Sequence, residues 1–157
     1  MKTNIYVESN TRYIREKERI IGYVVDYEDE NGNQVKDRKG EPVVKWGWGK
    51  RDTTYTGGVL IALAFAMSRA DMTEEVVIHS ENKFLIGSID TRLEQWMEND
   101  FTKKNGEEIR YLNAWKYIGK KLEGRKFDTV LGGHPYYGWM MEEMKKFAEG
   151  GENVCQT

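Results

Sequence analysis

Cysteine and proline are scarce in this chain, with one and two occurrences in 157 residues. Cys155 lies in a polar C-terminal stretch, so neither a disulfide framework nor a thiolate zinc site can be built. Long apolar runs are missing as well. None approaches bilayer length, and the opening Met-Lys-Thr-Asn leads into a strand-like run without the apolar centre of a signal peptide. The expectation is a cytoplasmic protein with no membrane association. An excess of charge is also lacking. Charged residues make up 32% of the chain but nearly cancel to a net of -2, so any nucleic-acid contact has to be local. There is no internal repeat, linker or low-complexity segment. With 39% apolar residues and 12% aromatics, the length suits one domain with one sizeable core, residues 1–149, and a disordered tail, 150–157.

What is present reads as an α/β pattern. Alternation and β-branched residues predict strands over Asn4 to Glu8, Ile20 to Tyr27 and Val43 to Gly49, with Asn31-Gly32-Asn33 as a turn signal between the second and third. Ser9 to Arg19 is too polar for a core element. Trp46 and Trp48 alternate with Gly47 and Gly49, which places both indoles on one sheet face, for packing or for base stacking. Thr53 to Arg69 predicts a helix apolar on nearly every face, hence buried on most of its circumference. Later elements are an amphipathic helix over Asp90 to Asp100, another running from Ile109 through Trp115 to Leu122, a strand at Phe127 to Leu131, and a closing helix from Trp139 to Glu149.

The stretch Val76 to Ile89 ties these together. A strand, Val76 to His79, passes through a short polar turn into a helix starting near Asn82, with Phe84, Leu85 and Ile89 at helical spacing. Ligands in open α/β sheets are held at the carboxyl ends of strands, and Glu81 stands at such an end. A helix-start acid favoured by the macrodipole is the structural alternative for it.

The ordered set of segments resembles the ribonuclease H family over residues 3 to 149. Tyr6-Val7-Glu8-Ser9-Asn10 resembles the end of that family's first strand, and Thr53-Thr54-Tyr55-Thr56-Gly57-Gly58-Val59 the start of its central helix. His79-Ser80-Glu81-Asn82-Lys83-Phe84-Leu85 resembles its fourth-strand segment. Phe101 to Trp115, with its Lys-rich turn, is similar to the basic protrusion, and Gly133-His134-Pro135 to the loop before the last helix. The resemblance implies a five-stranded mixed sheet, three antiparallel strands followed by parallel ones, flanked by helices.

For the site, the resemblance implies carboxylates holding two magnesium or manganese ions around a scissile phosphate. It assigns the first-strand acid to Glu8 and the fourth-strand acid to Glu81, both Glu where the family has Asp. It assigns the last-helix acid to Met141 without a gap or to Glu142 with one inserted residue, and the loop histidine to His134. The central-helix acid falls on Gly58, and no acid lies between Thr53 and Ala70 to replace it. Expected contacts to an RNA/DNA hybrid, other nucleic acid or a protein partner are Thr54, Tyr55, Lys103, Lys104, Tyr136 and Tyr137. The altered acid set favours a weak or non-catalytic binding module. An active metal-dependent ribonuclease and an inhibitor or decoy acting through protein contacts are the alternatives.

Overall fold

A computed structural model describes residues 1–102 and 108–150, together with the backbone of Cys155 and Gln156. Strand β1 (Lys2–Ser9) is central. It pairs antiparallel with β2 (Lys17–Glu28) and parallel with β4 (Glu75–Ser80). Strand β3 (Lys45–Thr53) extends the antiparallel side and β5 (Lys126–Leu131) the parallel side, giving the five-strand order β3-β2-β1-β4-β5. Strand β6 (Cys155–Gln156) runs antiparallel to Trp46 and Gly47, on a stretch otherwise outside the described residues.

Helix α1 (Tyr55–Arg69) makes the crossover from β3 to β4 and starts at Thr54, whose hydroxyl accepts the Gly57 N–H at 3.0 Å. Ile5, Val7, Ile21, Tyr23 and Val25 meet Val59, Leu63, Ala66 and Met67 in the main core. The sequence divides the next helical region at Asp90, whereas the chain runs without a break. Asn82 caps α2 (Lys83–Ser88), which continues through a wide π turn (Ile89–Leu93) into α3 (Glu94–Glu98). The break in apolar spacing marks that wide turn, where Thr91 Oγ1 donates to the Gly87 carbonyl at 2.7 Å. Helix α4 (Leu112–Leu122) then packs Trp115 against Trp96, 5.3 Å between ring centroids.

Helix α5 (Tyr137–Ala148) lies on the opposite sheet face, where Met140, Met144 and Phe147 meet Tyr6, Ile20, Val24 and Trp48. Trp46 and Trp48 share that face as alternation requires, 5.7 Å apart, and both contact Trp139. These indoles pack against one another.

One segment departs from expectation. Ser9 to Arg19 does contain a core residue, because Arg19 is 1% exposed. Its guanidinium donates to the carbonyls of Thr11, Tyr13, Arg15 and Thr53 and lies 3.3 Å from Ser9 Oγ. A polar loop thus gathers around one buried side chain that satisfies its backbone. No described helix is long and apolar enough to cross a membrane.

Candidate functional site

Because β1 and β4 are parallel neighbours, their carboxyl ends bring Glu8 and Glu81 together. Alternation along β1 sends Asn4, Tyr6 and Glu8 to the face opposite α1. The turn after β4 is locked by Ser80, whose hydroxyl donates to the Val7 carbonyl at 2.9 Å and accepts the Asn82 N–H at 3.1 Å. That fixes Glu81, whose backbone N–H donates to Glu8 Oε2 at 3.1 Å.

His134 completes the inner part of the site. Its Nε2 lies 2.9 Å from Glu8 Oε2, and both side chains are 1% exposed. Burial pushes the Glu8 carboxyl above its ordinary value, with the bonds from His134 and the Glu81 amide acting the other way. Outside this pair, Glu81 faces Arg12, whose Nη2 lies 3.4 Å from its carboxylate. Arg12 also donates to the Tyr137 hydroxyl at 3.1 Å and lies 5.6 Å over that ring. Tyr55, buried at the first turn of α1, is pushed up to about 12, first by burial and then by the Glu8 charge. Thr54 bonds the hydroxyl of Tyr111.

Of the residues singled out from sequence, Glu8, Glu81, His134, Tyr55 and Tyr137 therefore sit in one cluster. Others do not. Glu142 is exposed on α5: two residues past Met140 is about 200° around a helix, so with Met140 and Met144 fully buried Glu142 points away from the sheet. The inserted-residue alignment therefore fails to bring a third acid to the pair, and Met141 packs with the Tyr6 and Trp48 cluster instead. Tyr136 is not a free stacking surface either, since its hydroxyl donates to Asp26 at 2.8 Å and its ring lies edge-on to Tyr6. Lys103 and Lys104 lie outside the described residues. Arg12 was missed because an exposed arginine in a polar loop carries no sequence signal of its partner.

The residues present do not fit two divalent ions. Glu8 is engaged by His134 and an amide, and Glu81 by a guanidinium. Among the described residues no three His, Cys, Asp or Glu side chains gather as a metal site. At Gly58 a Cβ would lie 2.9 Å from Ile21 Cγ2 and 3.0 Å from Arg19 Cδ, so both side chains crowd any residue larger than glycine there.

Beside the cluster runs an open groove of about 660 Å³. Arg15, Arg92 and Arg110 line it with Ile14, Thr54 and Phe84, against the acids Glu16 and Glu108. Phe84 is 59% exposed there.

Behind Glu8, His79 stacks on Tyr6 at 4.3 Å and bonds Asn4 Oδ1 at 3.1 Å. Burial, with the nearby His134 adding to it, pulls its imidazole from 6.5 down to about 4. The unfolded chain therefore binds a proton that the native state refuses, and stability is expected to fall as pH drops from 6.5 to about 4. Partial solvent access holds this to on the order of 1 kcal/mol. Urea melts at pH 7 and pH 4.5 check it: the loss should shrink in His79→Gln, and an equal loss in both proteins contradicts it.

No protein-family model matches the sequence, and no curated protein does either. Solved structures do match. A type 1 ribonuclease H with the type 2 active-site motif, LC9-RNase H1, aligns with TM-score 0.65 and 18% identity over 98% of this chain and 74% of its own. The foamy viral protease-reverse transcriptase in complex with double-stranded DNA gives 0.62 and 17%, over 96% of this chain and 92% of the matched one. The same enzyme in complex with an RNA/DNA hybrid gives 0.62 and 16%, over 96% of this chain and 19% of that longer one. The chain has the ribonuclease H fold.

Proposed function

We propose that this domain binds nucleic acid without cleaving it. The observation that carries this reading is the closure of the acid pair: Glu8 is joined to His134 at 2.9 Å and Glu81 to Arg12 at 3.4 Å. These bonds engage one oxygen of each carboxylate, and among the described residues no further acid joins the pair to complete a metal site.

Binding itself is supported by the groove. Three arginines offer phosphate contacts near the start of α1, and the exposed Phe84 ring offers a stacking face. The foamy viral protease-reverse transcriptase, which contains a similar fold, has been solved with double-stranded DNA and with an RNA/DNA hybrid. A net charge of -2 makes the contact local, so affinity should be modest and strongly salt-dependent.

Fluorescence anisotropy with a labelled RNA/DNA hybrid tests this. Arg92→Gln combined with Arg110→Gln should weaken binding about tenfold and lower the salt slope by about 2. No binding at low salt, or an affinity and slope untouched by the double variant, would overturn the reading.

A further inference from the structure

A cleft on the other side of the molecule is unrelated to the acid pair. It lies between α1 and strand β3, with a volume of about 170 Å³. Tyr23, Gly47, Gly49, Phe65, Arg51 and Arg69 are among the residues that line it.

The glycines differ in why they are glycine. At Gly22 a Cβ would lie 2.2 Å from the Trp48 ring, and at Gly47 it would lie 2.9 Å from Tyr23, so internal packing excludes a side chain at both. At Gly49 the nearest atom is the Arg51 guanidinium nitrogen at 3.5 Å, an ordinary contact with the end of a flexible side chain. Glycine is costly in a strand, yet none of the described neighbours demands it here. What its bare backbone does is keep the cleft open.

Size and charge define the occupant. A cavity of about 150 Å³ accepts benzene, so this space suits one aromatic ring. Arg51 lies 5.4 Å over Phe65 and donates to the Lys50 carbonyl at 2.8 Å. Neither Arg51 nor Arg69 forms an ion pair with any carboxylate among the described residues. Two unpaired guanidinium groups beside a ring-sized apolar slot favour a planar anion, because the guanidinium fork matches a carboxylate.

We propose that this cleft is a binding site for a small aromatic carboxylic acid. The ring lies over Gly49 between Tyr23 and Phe65, and the carboxylate faces Arg51 and Arg69. The probe is benzoate, titrated into the full chain labelled with nitrogen-15 and followed by the backbone amides of Gly47, Gly49 and Ala62. Saturable shifts with a dissociation constant of roughly a millimolar are expected for a ligand of this size. Benzylamine, the same ring with a cation, should leave those amides in place. Arg69→Gln should weaken benzoate about fivefold, and Gly49→Leu should abolish the response by filling the slot. If Gly49→Leu does not fold, the Arg69→Gln and benzylamine results decide alone. Benzoate that moves none of these amides, that binds Arg69→Gln unchanged, or that benzylamine matches would overturn the assignment.

Discussion

Replacing Arg19 with methionine should cost about 3–5 kcal/mol of stability and lower the melting temperature by roughly 10 °C. Arg19 is 1% exposed and has no carboxylate partner among the described residues; its contacts there are four backbone carbonyls and one serine hydroxyl. Burial pulls its pKa down, but a guanidinium retains its charge at neutral pH. Methionine fills similar volume and offers no donors, leaving the carbonyls of Thr11, Tyr13, Arg15 and Thr53 without partners. Some of these reach water, since residues 12–18 are exposed, so the cost is smaller than four separate desolvation penalties. The same loop carries Arg12 to Glu81 and Arg15 to the groove, so hybrid binding should weaken along with the fold. Urea denaturation measures the first effect. A loss below about 1 kcal/mol would mean the loop holds itself without Arg19.

Gly58→Glu is the second large effect, and it separates two explanations for the missing helix acid. If the site were a working scaffold lacking one ligand, restoring the acid would restore metal-dependent cleavage. The packing argues otherwise. A Cβ at this position falls 2.9 Å from Ile21 Cγ2, a core atom, and 3.0 Å from Arg19 Cδ. Helix propensity alone would gain about 1 kcal/mol on leaving glycine. Overpacking typically costs about 1–3 kcal/mol, and a carboxylate at a buried position adds desolvation. A net destabilisation of about 2–4 kcal/mol is expected, with no gain in cleavage. Gly58→Ala isolates the steric part and should be the milder change. A Gly58→Glu protein that melts like the wild type and cleaves a hybrid in magnesium would contradict this.

Much of the fold was legible because it rests on local periodicity. Ile5 and Val7 alternate, Val59 to Met67 is apolar all round, and Trp115, Ile118 and Leu122 recur at helical spacing, so the strands and helices could be read directly. The continuity from Lys83 to Glu98 could not, because a π turn shifts the apolar phase without ending the helix. Within the site, Glu8 and His134 were found through the resemblance to the ribonuclease H family and Glu81 also through its place at a strand end; the parallel pairing of β1 and β4 brings the two acids together, and the loop after β5 adds His134. Arg12 and Arg19 were not. Their partners are a distant carboxylate and backbone carbonyls, and neither leaves a trace in local spacing. Glu142 misled for the opposite reason: chain order permits it as a fourth acid, and the helical phase set by Met140 and Met144 excludes it.

An acid pair closed by Arg12 and His134 leaves a binding domain that does not cut. An end-labelled RNA/DNA hybrid incubated with the protein in magnesium and in manganese, then resolved on a denaturing gel, tests it most directly. Intact strands are expected at concentrations where anisotropy shows the hybrid bound. Metal-dependent cleavage by the wild type that Glu8→Gln and Glu81→Gln both abolish would contradict it, and would make this pair a working catalytic site.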